Sequence, residues 1–368
     1  FRSNIVKNKK TNRIKIGFFS GDFRNHAVAH LIKDLFYHFD KSKFELFAFS
    51  SFCKKDEIRD EIKKIFNFFY DLDNISNEEI LSIVKSADLD IAVDLSGYTE
   101  YQKSWLFGFD IAKKKINYLG YPGTMGSNHY DFIIADKYII PEDHKKFYSE
   151  KVIYMPETYQ PFSILKLKNK NITRENYNLP ENCFLLVSFA RIEKILPNIF
   201  DVWMGILKSY SNTKLCLFIR SDDVKNNIKL FCNTKKYDFN NIIFLDNKSH
   251  AEHLSRLSLF DLYLDTFPYN SHTLMSDALF HSGIPAVSMT GNSFASRVSL
   301  SLLNYANLSE CAVDSEQEYF LKIKKIIIDK DYYNNLKNKL NEKRKLVSHR
   351  MINFTKDFEK IMFQILNI

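Results

Sequence analysis

Leu262-Tyr-Leu-Asp-Thr-Phe-Pro-Tyr-Asn-Ser-His-Thr-Leu-Met-Ser-Asp277, continuing past Gly283 to Pro285-Ala-Val-Ser-Met289, is the stretch that decides the fold. Leu262 to Leu264 is a short apolar run that predicts a strand, a polar turn follows, and a short helix runs on until Gly283 stops it. Pro285 to Met289 predicts the next strand. A strand, a turn and a helix in that order leave free backbone N–H groups at the helix start, where hydrogen bonding and the helix dipole both favour an anion. His272 and Thr273 sit at that start, and Asp277 lies one turn further on.

The same alternation extends in both directions. Arg13 to Ser20 predicts a strand, Asp22 to His26 the turn after it, and Val28, Leu31, Ile32, Leu35 and Phe36 the apolar stripe of a helix. Strands follow at Phe44 to Phe49, near 67 to 71, at Ile91 to Leu95, at 116 to 119 and at 132 to 134. Helices fall near 55 to 65 and after Ser76, whose partner in a capping box is Glu79. The pattern weakens between about 158 and 178, where Gln160-Pro161 and the Lys-Asn-Lys-Asn run at 168 to 171 predict a linker. A second series then begins, with strands at Phe184 to Phe189, Leu215 to Ile219, Ile242 to Leu245 and the two already named. Short apolar strands alternating with amphipathic helices mean a parallel sheet covered on both faces. The fold class is therefore α/β, with two Rossmann-like, doubly wound domains. The expected boundaries are 1–165 for the first, 166–345 for the second and 346–368 for a C-terminal helix that packs back, with Phe354, Phe358, Ile361, Met362 and Ile365 on one stripe. Ligands of such sheets sit at the carboxyl ends of strands. Asp22 to His26, Gly97-Tyr-Thr99, Ala190 to Lys194 and the 265–277 turn are thus expected to converge on one cleft.

The chain has 368 residues, 45% of them hydrophobic, which suffices for two cores. It begins with Phe1, so a longer polypeptide is expected. No run approaches the roughly 18 apolar residues of a membrane helix. The five cysteines are odd in number, lie far apart and lack histidines at metal-ligand spacing, which fits a reducing cytoplasm and argues against structural zinc. The net charge of +8 comes from lysines scattered along the chain and not gathered on one element, which argues against a nucleic-acid role. Neither a GxGxxG nor a Walker sequence occurs at the turns, which argues against a dinucleotide enzyme or a nucleoside triphosphatase.

Several blocks in one order carry a resemblance: Gly17-Phe-Phe-Ser-Gly-Asp-Phe-Arg-Asn-His26 with His30, Val93-Asp-Leu-Ser-Gly-Tyr-Thr99, Leu119-Gly-Tyr-Pro-Gly-Thr124, Asp131-Phe-Ile-Ile-Ala-Asp136, Tyr148-Ser-Glu-Lys151, Lys194-Ile195 before Pro197, Glu252-His253, and the opening segment. From about Arg13 to Phe363 the chain resembles the catalytic region of the protein O-linked N-acetylglucosaminyltransferases, glycosyltransferase family 41. The resemblance implies a two-domain glycosyltransferase fold of the B type whose C-terminal half binds the nucleotide sugar. It implies inversion at the anomeric carbon without a metal, no cofactor beyond the co-substrate UDP-N-acetylglucosamine, acceptor proteins as partners, and tetratricopeptide repeats N-terminal to this region.

Residue by residue, Lys194 matches the family's phosphate-binding lysine, and His272 and Thr273 match its phosphate-cradling turn. His253 and Arg256 match residues beside the base and phosphates, and Asp277 matches the ribose-binding carboxylate. Gly120, Tyr121, Pro122, Gly123 and Thr124 match the loop that contacts the donor sugar. His26 is the general-base candidate because imidazole takes a proton at neutral pH; positioning of the acceptor or the sugar is its other reading, and His30 reads as structural support. The Asp71-Leu-Asp73 and Asp88-Leu-Asp90 triplets imitate a metal-binding carboxylate pair but lie at strand ends, where a structural role is expected.

The chain also departs from the family. Leu274 and Met275 stand where a threonine and a glycine are usual in the phosphate turn, His250 where a lysine or arginine is expected beside the nucleotide, and Tyr269 where a smaller residue lies near the sugar. These departures leave three readings open: transfer of N-acetylglucosamine or a related hexose to serine and threonine hydroxyls of proteins; the same fold with another donor (UDP-glucose, GDP-fucose) or acceptor (asparagine, a glycan); and a module that binds nucleotide or protein without catalysis.

Overall fold

The computed structural model describes residues 12–164 and 172–367, so the expected linker run at 168 to 171 lies outside the described residues. The chain forms two compact units. One takes the residues up to Ala135, Pro141–Pro161 and the stretch from Met351 onward; the other takes Asp136–Ile140 and Phe162–Arg350.

The first unit is built on a seven-stranded sheet of β1 (Ile14–Ser20), β2 (Phe44–Ser50), β3 (Phe68–Asp71), β4 (Leu89–Asp94), β5 (Ala112–Asn117), β6 (Phe132–Ala135) and β7 (Lys151–Tyr154), in the order β3-β2-β1-β4-β5-β6-β7. Every pairing is parallel. Parallel register sets like residues beside one another, and this chain uses it for aromatics. Phe19, Phe49 and Tyr70 are neighbours across β1, β2 and β3, and their rings stack at 4.6 and 5.3 Å. Asp56 and Ser76 open the helices Glu57–Ile65 and Asn77–Ser86 by accepting the N–H groups of Arg59 and Glu79.

The second unit holds β8 (Phe184–Ser188), β9 (Thr213–Leu217), β10 (Ile242–Phe244), β11 (Leu262–Leu264), β12 (Ala286–Met289) and β13 (Ala312–Val313), in the order β10-β9-β8-β11-β12-β13, again all parallel. Both sheets reverse direction of winding between their first and fourth strands, β1/β4 in one and β8/β11 in the other. That reversal is the topological switch point, where doubly wound sheets open a crevice at their carboxyl edge.

Three features differ from the sequence reading. Asp136–Ile140 belongs to the second unit: Asp136 is fully buried and accepts hydrogen bonds from Ser301 Oγ at 2.6 Å and from the N–H groups of Tyr138 and Ile139. Arg297 Nε also donates to the Tyr138 carbonyl at 2.7 Å. Strands β7 and β13, each the last of its sheet, add to the expected set. The helix before Gly283 is α-helical only over Thr273–Ser276 and continues as a π-helix over Asp277–Ser282. Gly283 ends it at φ +72°, in the left-handed region that glycine adopts without strain.

The C-terminal helix Arg350–Leu366 buries Phe354, Phe358, Ile361, Met362 and Ile365. The Phe358 ring lies 6.0 Å from Phe39 and 5.3 Å from Tyr118, and Glu359 Oε1 accepts the Asp40 N–H at 2.6 Å.

Candidate active site

At the switch point of the first unit, β1 runs into Gly21-Asp22-Phe-Arg-Asn-His26 and β4 into Ser96-Gly97-Tyr98. His26 is the N-cap of the helix Ala27–His38, and its Nδ1 accepts the Val28 N–H at 3.3 Å. The same nitrogen lies 3.4 Å from Asp22 Oδ2, and Arg24 Nη2 donates to Asp22 Oδ1 at 3.1 Å. One ring nitrogen serves one of these partners at a time. With its proton on Nδ1 the imidazole faces the Asp22 carboxylate, and Nε2 keeps the lone pair a general base needs. Asp22 is buried; burial raises its pKa, and the charges of His26 and Arg24 oppose the rise. His30 Nε2 is 2.8 Å from Asn25 Oδ1, a contact that braces the turn.

Buried carboxylates also fix the loops alongside. Asp94 accepts the N–H groups of Ser96 and Gly97 at 2.9 Å each and the Tyr130 hydroxyl at 2.7 Å, and Ser96 Oγ accepts the Gly21 N–H at 3.1 Å. Gly97 turns at φ +53° against the Tyr121 side chain. In the loop Gly120, Tyr121, Pro122, Gly123 and Thr124, a Cβ at Gly120 would collide with the Leu95 carbonyl oxygen, which explains that glycine. Glu150 holds the loop's far end, accepting the Met125 N–H at 2.7 Å and the Thr124 hydroxyl at 2.5 Å. Glu150 stands in one of the sequence blocks, yet nothing in the block reveals its partner. The Asp71 and Asp90 carboxylates pair with Arg59 and with Lys113, a structural use of both triplets.

At the switch point of the second unit, the residues after β8 carry Lys194 and those after β11 carry the turn to His272. The Lys194 ammonium sits 3.7 Å from the centroid of the Tyr269 ring, and that ring stacks on His272 at 5.3 Å with 19° between planes. Burial lowers the Lys194 pKa to about 8; Asp265 opposes the shift and Arg191 adds to it. The ammonium therefore remains largely charged at neutral pH. Burial and the Lys194 charge push His272 down to about 3, so its ring is neutral. Thr273 opens the helix, with its hydroxyl in the first turn.

Asp265 carries no sequence signal beyond its place directly after an apolar strand. It is wholly buried and accepts hydrogen bonds from the N–H groups of Thr266 and Ser271 at 2.9 and 2.7 Å and from the Ser288 and Ser299 hydroxyls at 2.6 Å each. One carboxylate thereby shapes the turn that delivers His272 and ties it to the next strand and helix.

His250, His253 and Arg256 lie on the helix His250–Leu257, opened by a capping box of Ser249 and Glu252. The His253 ring meets Phe189 edge-on at 4.5 Å, and the Arg256 guanidinium lies 4.9 Å from the same ring while donating to the Asp246 carbonyl at 2.6 Å. His253 Nε2 and Arg256 Nε are buried and lack a hydrogen-bond partner among the described residues, a state that favours an incoming polar ligand. Burial lowers His253 to about 3 and also lowers His250, so both rings are neutral. Asp277 is buried; burial pushes its pKa up to about 8, and that of His281, whose Nε2 is 3.8 Å away, down to about 4. The pair is thus mostly neutral at pH 7, a carboxyl group beside an imidazole. Met275 is wholly buried and finds its volume in the interior.

The second unit thus holds Lys194 and His272 against the Tyr269 ring, His253 and Arg256 on the Phe189 ring and Asp277 beside His281, with Thr273 and His250 on the same helices, while His26 and residues 120–124 belong to the first. No group of three or more metal-ligating side chains able to hold an ion occurs among the described residues. No helix of the described residues is long and apolar enough to cross a membrane.

The profile of glycosyl transferase family 41 matches residues 1–163 and 166–358. The chain belongs to glycosyl transferase family 41. Among its relatives, the probable UDP-N-acetylglucosamine–peptide N-acetylglucosaminyltransferase SEC of Arabidopsis thaliana is 28% identical over 97% of this chain, and the corresponding SPINDLY protein of the same plant is 28% identical over 83%. The chain spans only 37% and 34% of those two proteins. A mutant of the Thermobaculum terrenum O-GlcNAc transferase superposes with a TM-score of 0.90 at 22% identity, over 96% of this chain and 68% of that one. Anabaena HepE, solved with UDP and glucose, gives 0.63 at 11% identity over 97% of this chain and all of the other. Both likenesses show that this family 41 chain has the two-Rossmann, B-type glycosyltransferase fold.

Proposed function

We propose that this chain is the catalytic region of an inverting, metal-independent glycosyltransferase that moves N-acetylglucosamine or a related hexose from a uridine diphosphate donor to serine and threonine hydroxyls of proteins. The observation that carries the reading is the half-buried Lys194 ammonium beside the His272 turn at the β8/β11 switch point. In this reading the acceptor oxygen attacks the anomeric carbon as the bond to the diphosphate oxygen breaks. The released negative charge falls on the diphosphate. Lys194 and the N–H groups at Thr273 stabilise that charge, each contact contributing about 2–4 kcal/mol to the transition state. His26 takes the hydroxyl proton on Nε2, with Asp22 holding the ring and its tautomer. His253 and Arg256 hold the base and phosphates, their unpartnered nitrogens supplying donors or acceptors, with His250 alongside; Asp277 bonds the ribose hydroxyls, and residues 120–124 meet the sugar. No cofactor beyond the nucleotide sugar enters. Acceptor proteins and N-terminal tetratricopeptide repeats are the partners, and the cytoplasm, where the five free thiols stay reduced, is the compartment.

A second reading keeps the mechanism and changes the donor to UDP-glucose or GDP-fucose. It is favoured by Tyr269, an exposed residue whose ring lies beside Lys194. Thermal-shift titration of the protein with a panel of nucleotide sugars, followed by intact-mass analysis of co-expressed acceptor proteins, separates the two. Stabilisation by UDP-N-acetylglucosamine with a mass gain of one N-acetylhexosamine supports the first; absence of stabilisation by every nucleotide would defeat both and leave a module without catalysis.

A further inference from the structure

Tyr269 is a large aromatic residue that stays 38% exposed on a turn held by hydrogen bonds. Its carbonyl accepts the Thr266 hydroxyl at 2.7 Å, and the next residue, Asn270, donates from its side chain to the carbonyls of Thr266 and Met289 at 2.9 and 3.2 Å and from its N–H to Ala295 at 2.9 Å. A ring carried on so fixed a turn has a fixed place. That place puts the Lys194 ammonium 3.7 Å from the ring centroid and the His272 ring in a stack at 5.3 Å. The face of an aromatic ring is negative and attracts a cation, most strongly where water is partly excluded. Packing alone does not require an aromatic here, because the residue stays exposed to solvent.

We propose that Tyr269 is a positioning residue for Lys194: its ring face fixes the ammonium at the phosphate turn, making up for the hydroxyl donor that Leu274 does not provide. The inference rests on the reading of Lys194 as the group that binds the donor diphosphate. The other charged or titratable groups that act on Lys194 are Asp265, which favours its charged form, and Arg191, which opposes it, while His272 lies close enough to feel the ammonium. The ring adds to the side of Asp265.

The test compares wild type with Tyr269→Phe, Tyr269→Leu and Lys194→Ala in the full chain. Binding of UDP and GDP, and of uridine and guanosine as controls without phosphate, is measured between pH 6 and 9. Leucine keeps most of the cover over Lys194 and removes the π face; phenylalanine keeps both. Tyr269→Leu is expected to weaken the diphosphate that wild type binds by about 3- to 30-fold, to leave the nucleoside unchanged, and to bring the alkaline loss of binding to lower pH. Tyr269→Phe is expected to restore wild-type behaviour. Equal weakening of nucleoside and diphosphate, failure of phenylalanine to rescue, or an unmoved pH profile overturns the proposal. If Lys194→Ala binds diphosphate as wild type does, the underlying reading of Lys194 fails first, and the inference with it. An unfolded Tyr269→Leu protein beside a folded, fully binding Tyr269→Phe leaves Tyr269→His to decide: retained binding just above neutral pH, where the imidazole is mostly neutral and aromatic and the ammonium still charged, supports the ring, and its loss overturns it.

Discussion

In the proposed reaction, Lys194 and His26 divide the chemistry into two measurable parts. Lys194→Ala is expected to lower kcat/KM for the donor by about 30- to 1000-fold, the worth of one donor to the departing charge, and full activity in that variant would refute the site. Because burial sets the Lys194 pKa near 8, donor binding is expected to be complete below that pH and to be lost as pH rises through about 8, the ammonium giving up its proton; titration of UDP affinity against pH checks this. His26→Ala is expected to cut transfer by about 100- to 10,000-fold while UDP affinity stays the same, since the proposed nucleotide contacts belong to the second unit. Most of these residues were legible in the sequence as members of ordered blocks. Their supports were not. Besides bonds to their immediate neighbours, Asp265 and Glu150 act through hydrogen bonds to residues 6 to 34 and 25 to 26 positions away, and no local period encodes a partner at that distance. The neutral state of Asp277 was equally hidden, because it follows from burial, which depends on the whole packed unit.

At the scale of elements, alternation of apolar runs with amphipathic helices was enough to read the parallel strands. It missed β7 and β13, each of which is the last strand of its sheet. The helix that follows the His272 turn is legible in its position but not in its form: α-helical for four residues, π-helical for six. A π segment widens the helix by one residue and is often retained at functional sites; here it carries Asp277 and His281 together. Gly283 closes it at φ +72°, where a Cβ would also collide with the Arg344 guanidinium, which donates to the Phe280 and His281 carbonyls. Gly283→Ala is therefore expected to destabilise the protein by about 1–3 kcal/mol, read as a lower urea midpoint at unchanged slope.

For the whole molecule, the informative fact is that the chain leaves the first unit, builds the second and comes back. Deleting residues 351–368 removes Phe354, Phe358, Ile361, Met362 and Ile365 from the first unit's interior. At roughly 1.5–3 kcal/mol for each fully buried side chain, the loss rivals the whole stability of a typical domain, about 5–15 kcal/mol. Limited proteolysis is expected to digest the first unit of the truncated protein while the second resists; equal resistance of both would show that the helix is dispensable. The sequence showed that this helix docks, through its apolar stripe, but not on which unit, because the choice depends on Phe39, Asp40 and Tyr118, more than 230 residues earlier. That separation also sets an order of events during synthesis. The β1 to β7 sheet leaves the ribosome first, yet its last structural part is translated after the entire second unit, so an apolar strip over Phe39 and Tyr118 stays open for nearly two hundred codons. The nascent chain should then be a client for chaperones over that interval, and the later-made unit should be the first to reach its native state.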